Sequence, residues 1–133
     1  MTDDSAAALR RYEGSCHCGA IRFAFESPVI ERVTACNCSI CAKKGFLHFR
    51  VPPESFQLLC GAPSLGTYQF GTRVAKHHFC IHCGIQVFTR PRAAPHLYTV
   101  NVRTLDGYDL EREKPEVVAF DGRHWEENAS RLG

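Results

Sequence analysis

The residues of this chain best suited to chemistry are its cysteines. The sequence contains eight of them, and seven lie in three short clusters. The clusters are Cys16-His17-Cys18, Cys36-Asn37-Cys38-Ser39-Ile40-Cys41 and Cys80-Ile81-His82-Cys83. Such spacing brings several sulfur atoms from one short segment to one point, as a metal ion requires. We therefore expect metal sites rather than disulfides or cysteines scattered through the core.

The backbone around each cluster has a shape that can direct its sulfurs to one ion. In an extended C-x-C segment, residues two apart point to the same face. In a C-x-x-C segment, a tight turn brings the two side chains together. Gly19 and Gly84 follow the first and third clusters directly, where a glycine lets the backbone bend back around a metal.

Two half-sites of two sulfurs each make one four-thiolate site, which is typical of structural zinc. This favours pairing the first and third clusters across a loop of about sixty residues. The second cluster then offers three sulfurs and an open position, as in catalytic zinc. Spacing alone leaves other arrangements open, because Cys41 could join the other site. Cys60 or a histidine could also complete the second site, although an isolated Cys60 is more typical of a small buried residue or a surface thiol.

The elements that must position these clusters are predicted to be short strands. Apolar, aromatic and β-branched residues recur in nine runs separated by turn residues. The predicted strands cover residues 21–26, 29–34, 46–51, 56–59, 67–70, 76–79, 85–89, 97–102 and 117–120. Only residues 124–131 have a helical pattern, with Asp121 as the cap. We predict a mainly β domain with short strands and a short C-terminal helix.

Length and composition fit one small domain. The chain has 133 residues, of which 44% are hydrophobic and 23% are charged, as in ordinary globular proteins. Residues 1–10 are small and polar and are predicted to form a flexible tail. Residues 11–133 are predicted to form a single zinc-binding domain of catalytic type. Short strands bury little apolar area, so metal crosslinks would supplement the core.

Charge and hydropathy exclude two classes of partner. The formal net charge is only +2 and there is no basic block, which argues against a nucleic-acid partner. No apolar stretch is long enough to cross a bilayer, so we expect no membrane partner. Asp3 and Asp4 stand where a secretion signal carries positive charge. We expect a cytoplasmic protein, in which reduced thiols are available for metal.

Several segments together point to one known family. They are GSCHCGA (14–20), CNCSICAKKG (36–45), FCIHCGI (79–85), VNVR (100–103), LDG (105–107) and FDGRHWE (120–126). In this order they resemble the glutathione-dependent formaldehyde-activating enzyme family, which also includes the centromere protein V domain. The resemblance covers nearly all of the chain from Tyr12 to Glu126.

The resemblance implies a β-tent fold and two zinc ions per chain. The implied structural zinc is held by Cys16, Cys18, Cys80 and Cys83, and the implied catalytic-type zinc by Cys36, Cys38 and Cys41. The implied activity is that of a carbon–sulfur lyase. Glutathione or a similar small thiol adds to formaldehyde or a related aldehyde, and the product, S-hydroxymethylglutathione, is formed or cleaved. The alternative is a non-enzymatic zinc module that binds glutathione or a protein partner.

A glutathione site should also present cations, because glutathione carries two carboxylates. Candidate cations are Lys43, Lys44, Arg90, Arg92 and Arg103, with Phe46 and Phe79 as candidate walls. Asn101 and Arg103 are favoured, because they lie in a family motif and are predicted to share one strand face. Trp125 is expected to pack the terminal helix onto the core rather than to contact a ligand.

Overall fold

The computed structural model describes residues 8–92 and 94–124. Most of the predicted N-terminal tail lies outside these residues. The same is true of the predicted C-terminal helix beyond its first residue, and of Trp125. Within the described residues, no helix is long and apolar enough to span a membrane.

Short strands dominate the described part of the chain. The strands are β1 (Arg10–Ser15), β2 (Arg22–Ser27), β3 (Arg32–Cys36), β4 (Leu47–Val51), β5 (Phe56–Cys60), β6 (Leu65–Tyr68), β7 (Lys76–Cys80), β8 (Gln86–Arg90), β9 (Tyr98–Asn101) and β10 (Glu116–Phe120). The helices are α1 (Ser39–Lys44) and α2 (Leu110–Glu113), and 3-10 turns cover Pro53–Ser55, Ala62–Ser64, Val102–Thr104 and Gly122–His124. The predicted mainly β class with short strands is confirmed.

The elements that were not predicted from the sequence are those that lack a periodic pattern of polar and apolar residues. Each of the nine predicted strands has a counterpart, but β1 was not predicted, because its residues RRYEGS do not alternate in polarity. The expectation that only residues 124–131 are helical was wrong. Helices α1 and α2 have six and four residues, too few to show a helical period. Both depend on local capping, by Cys38 in α1 and Asp109 in α2.

The strands form two sheets. Strands β1, β2 and β5 make a three-stranded sheet in the order β1-β2-β5. The other seven strands make a second sheet in the order β10-β3-β4-β9-β8-β7-β6. All of the paired strands are antiparallel except β10 and β3, which run parallel. The edge strand β10 brings the end of the described chain beside Cys36, its register partner being Phe120.

The core lies where aromatic side chains of the two sheets meet. Phe23 on β2 is completely buried. Its ring lies 5.7 Å from that of Phe56 in its own sheet and 6.0 Å from that of Phe88 in the other sheet, measured between centroids. Phe56 also stacks on Tyr98 of β9 at 4.0 Å. These contacts leave the opposite face of the seven-stranded sheet available to form a site.

Replacing Phe23 by alanine should destabilise the fold strongly, because the side chain links the two sheets. We expect the free energy of unfolding to fall by about 3–5 kcal/mol, measured by urea denaturation. Val117→Ala is the matched control, since Val117 is 56% exposed on an edge strand and should change stability by no more than about 0.5 kcal/mol. A loss below about 1 kcal/mol for Phe23→Ala would contradict this view of the core.

Candidate metal centres and the adjoining cleft

Two turns bring the first and third cysteine clusters together. Cys16 and Cys18 follow β1, while Cys80 ends β7 and Cys83 closes the next turn. The Sγ atom of Cys18 lies 3.7 Å from that of Cys16 and 3.7 Å from that of Cys80. All four Sγ atoms lie within 4.8 Å of one another. We call this set the four-cysteine group.

These separations fit a tetrahedral zinc ion. A zinc–sulfur bond of about 2.3 Å places the sulfurs of a tetrahedral site about 3.8 Å apart. The 3.7 Å separations within the four-cysteine group match that value. Four sulfur ligands also leave no open position, as in structural sites. The donor set therefore fits the closed zinc site that the motifs imply.

The two turns of this group are built alike. The backbone N–H of Gly19 donates to the Cys16 carbonyl at 3.2 Å, and that of Gly84 donates to the Cys80 carbonyl at 2.8 Å. Gly19 and Gly84 follow with φ values of 82° and 80°, which are accessible to glycine without strain. Both glycines thus bend the backbone as expected. The C-x-C segment, however, is a turn rather than extended.

Without a metal, the four thiols ionise unequally. Desolvation raises the pKa of Cys83, but backbone N–H groups, led by that of Ile85, outweigh it and bring the pKa to about 6. The N–H of Ala20 lowers the pKa of Cys18, yet desolvation and the neighbouring cysteines raise it to about 11. The group thus holds both thiolate and thiol at neutral pH. Metal binding would displace the remaining protons.

The second cluster forms a separate three-cysteine group around the start of α1. Cys36 ends β3, Cys38 is the N-cap of α1, and Cys41 is buried in the helix. Their Sγ atoms lie within 4.8 Å of one another. The N–H of Cys41 donates to Cys38 Sγ at 3.4 Å. Hydrogen bonds from the thiols of Cys36 and Cys41 lower the pKa of Cys38 to about 2. A thiolate is therefore present to receive a metal ion.

His48 adjoins this group and was not predicted. It lies on β4, and its Nε2 atom is 3.2 Å from Cys41 Sγ. Its ring packs against Phe46, with 4.4 Å between ring centroids. Burial lowers the pKa of His48 to about 4, so the imidazole is neutral near neutral pH. His48 could not be assigned to this group from the sequence, because it lies seven residues beyond Cys41, outside the cysteine motif.

The chain beyond β10 covers the other side of the three-cysteine group. The backbone N–H of Arg123 donates to the Asn37 side chain at 3.0 Å, and its Nε donates to the Asn37 carbonyl at 2.9 Å. Gly122 lies so close that a Cβ atom there would be 2.9 Å from Cys38 Cβ and would overlap Cys36 Sγ. A side chain at position 122 would therefore displace a sulfur.

The three-cysteine group opens into a cleft of about 1140 Å³. Its lining includes all three cysteines, two histidines and five cationic residues. The histidines are His48 and His77, and the cations are Arg32, Lys43, Arg50, Arg92 and Arg123. No aspartate or glutamate occurs among the described residues that line it. Arg32 forms an ion pair with Glu116 outside the lining, so the described lining carries more cationic than anionic side chains and favours anionic ligands.

The sequence identified only part of this lining. Lys43 and Arg92 line the cleft as the charge argument expected, whereas the candidates Lys44, Arg90, Arg103, Phe46 and Phe79 do not. Cys60 belongs to neither cysteine group among the described residues. The cleft cations Arg32, Arg50 and Arg123 were missed. Arg32 and Arg50 belong to the alternating patterns of β3 and β4, which could be used only once the sheet order was known, and Arg123 lies in the 3-10 turn after β10.

Asn101 and Arg103 do not share a strand face, contrary to expectation. Strand β9 ends at Asn101, and Arg103 lies in the 3-10 turn Val102–Thr104. Asn101 is buried and accepts from the backbone N–H groups of Leu47 and Arg103, while its Nδ2 donates to the Gln86 carbonyl. Arg103 Nε donates to the Gly45 carbonyl at 2.9 Å. Neither residue lines the cleft; both hold its framework together.

Comparison with known proteins identifies the family. The model of the glutathione-dependent formaldehyde-activating enzyme family matches residues 11–123. The chain belongs to this family. A protein of Halomonas elongata that bears the same name provisionally is 31% identical over 129 residues, covering 90% of this chain and 82% of that protein. The crystal structure of a Rhodobacter sphaeroides protein matches with a TM-score of 0.73 and 36% identity, covering 81% of this chain and 99% of that one.

Removing one cysteine from each group should have unequal effects on stability. The four-cysteine group joins residues 62 positions apart, whereas the three-cysteine group spans one short segment. We expect Cys80→Ala to lose its zinc and unfold, and Cys38→Ala to stay folded with one fewer zinc ion per chain. Zinc analysis and thermal denaturation measure both effects. Equal melting temperatures for the two variants would contradict this division of roles.

Gly122→Ala should impair the three-cysteine group alone, since the added methyl group would displace Cys36 Sγ. We expect zinc affinity at that group to fall about tenfold or more, measured by competition with a chromophoric chelator. Gly107→Ala is the control, because its φ of 69° makes that substitution costly to the backbone while a Cβ atom there meets nothing within 4 Å, so it separates a general loss of stability from a displaced sulfur. Equal affinities of the two variants would show that Gly122 does not set the position of Cys36.

Proposed function

We propose that this chain is a zinc-dependent enzyme that forms or cleaves the carbon–sulfur bond of S-hydroxymethylglutathione. The bond joins the sulfur of glutathione, or of a similar small thiol, to the carbon of formaldehyde or of a related aldehyde. The observation that supports this most directly is a three-sulfur group at the wall of a cationic cleft. Family membership supports the choice of glutathione as the thiol.

The two cysteine groups would hold one zinc ion each. Sulfur ligands favour zinc over magnesium or calcium, which prefer oxygen. The four-cysteine group would hold a structural ion. The three-cysteine group would hold an ion with one position left for a ligand, and Cys36, Cys38 and Cys41 are its proposed ligands. When bound there, zinc lowers the pKa of an incoming thiol, so that the thiolate is available near neutral pH.

The proposed reaction is an addition that balances without a further reactant. The thiol sulfur forms a bond to the aldehyde carbon, and the π electron pair of the carbonyl moves to its oxygen. That oxygen takes the proton that the thiol loses, and cleavage is the reverse. The chain's own residues bind and orient the reactants. The cleft cations hold the carboxylates of the thiol, and His48 holds Cys41 Sγ in place through its 3.2 Å contact.

The proposed function also carries an assignment of the domain bounds and of the cellular location. We propose that residues 11–133 act as one catalytic-type domain, because the cysteine ligands come from both early and central segments of the chain. We also propose a cytoplasmic location, since the chemistry requires reduced thiols.

The enzyme proposal predicts that interconversion of glutathione and formaldehyde is accelerated and depends on the three-cysteine group. We expect the wild type and Cys60→Ser to accelerate exchange, and Cys38→Ala to leave only the uncatalysed rate, measured by NMR exchange spectroscopy. Cys60→Ser is the control, because Cys60 is an exposed thiol outside both groups. Equal rates with and without wild-type protein would instead favour a non-enzymatic module that binds glutathione or a protein partner.

A further inference from the structure

A short connector separates the helix that carries Cys41 from the strand that carries His48. It begins with Gly45 and ends with the first residue of β4, and we call residues 45–47 the connector. Gly45 has no side chain and a φ of 66°, and glycine is the residue type that loses most conformational freedom on folding. Helix α1 has only six residues, too few to be stable by itself. The position of Cys41 relative to His48 therefore depends on contacts made to the connector from elsewhere in the fold.

Arg103 holds the first residue of the connector. Its Nε atom donates to the Gly45 carbonyl at 2.9 Å, across 58 positions of sequence. The Gly45 N–H in turn donates to the Cys41 carbonyl at 2.9 Å. The last carbonyls of a helix lack partners within it, and a basic side chain can supply one. Arg103 is therefore linked through Gly45 alone to the backbone of Cys41, a proposed zinc ligand.

Asn101 holds both the last residue of the connector and the backbone of Arg103. Its Oδ1 atom accepts from the N–H of Leu47, which directly precedes His48, at 3.4 Å and from the N–H of Arg103 at 3.2 Å. Its Nδ2 atom donates to the Gln86 carbonyl at 3.0 Å. With two donors on one side of the amide and an acceptor on the other, Asn101 has only one orientation that satisfies all three partners. The two ends of the connector are thus held from one short segment, the end of β9 and the turn that follows it.

We infer that Arg103, oriented by Asn101, is a positioning residue of the three-cysteine group, because it fixes the end of α1 and so keeps Cys41 where it can bind a metal ion. Arg103 does not line the cleft, so it acts through the backbone of Gly45 rather than on a reactant. The four-cysteine group lies on other turns, and its metal affinity should not depend on this contact. The inference rests on the proposed function only in requiring a metal ion at the three-cysteine group.

The test compares the two cysteine groups within one protein, so that each variant contains its own reference site. Zinc affinity at each group is measured by competition with a chromophoric chelator, and the geometry of each group by ¹¹³Cd NMR after loading with cadmium. Cys38→Ala identifies which resonance belongs to the three-cysteine group. We expect Arg103→Ala to weaken zinc binding there about fivefold or more, the effect of losing one hydrogen bond from a charged donor. Its ¹¹³Cd resonance at that group should shift, while that of the four-cysteine group stays in place.

Two further variants separate positioning from a general effect on the fold. Arg103→Lys keeps a charged donor that can reach the Gly45 carbonyl, and we expect it to recover most of the lost affinity. Arg112→Ala is the matched control, since it removes an exposed arginine of α2 that pairs with Asp109, and it should leave both groups unchanged. Arg103 is itself exposed, so these substitutions should not unfold the protein.

The outcomes distinguish this inference from the proposed function. Equal zinc affinities of Arg103→Ala and Arg112→Ala at the three-cysteine group would overturn the inference and leave the proposed function standing. The same holds if Arg103→Ala weakens both groups equally, because the cause would then be a loss of stability, or if Arg103→Lys binds zinc as weakly as Arg103→Ala. If the wild type binds metal at the four-cysteine group alone, the proposed function itself fails.

Discussion

The close approach of four sulfur atoms is the interaction on which the fold depends most. Two turns 62 residues apart in sequence bring Cys18 and Cys80 to 3.7 Å. Thiolates at this separation repel one another unless a cation shares their charge. A zinc ion bound there would turn a repulsive cluster into a crosslink that closes a long loop. Such a link matters in a chain whose strands have only four to six residues each.

The three-cysteine group is positioned by the fold but does not itself join distant segments of the chain. Helix α1 is inserted between β3 and β4, and the cap of the helix is itself a cysteine, Cys38. The parallel strand β10 returns the chain to β3, which places Gly122 against Cys36. One side of the group is thus closed by backbone, while the other opens into the cleft. This difference in surroundings supports the different roles proposed for the two cysteine groups.

How much of this arrangement the sequence predicted depends on whether a feature arises from one short segment or from the pairing of distant segments. The cysteine clusters and most strands are local patterns, so spacing and alternation were enough to predict them. The cleft cations are not local. Arg50 and Thr99 are opposite each other only because β4 pairs with β9. Neither segment contains a sequence pattern that predicts this pairing. The opposite error occurred at Asn101 and Arg103, where a continuous strand was assumed but a 3-10 turn begins.

Net charge and local charge carry different information in this protein. A formal charge of +2 gives little attraction for a polyanion such as nucleic acid. The cleft nevertheless has five cationic side chains in its described lining, one of which, Arg32, is paired with Glu116. Burial lowers the pKa of the Arg50 guanidinium, because its charged form is less well hydrated there. A small thiol with two carboxylates fits this distribution better than any extended polyanion, because the cations are concentrated within one cleft.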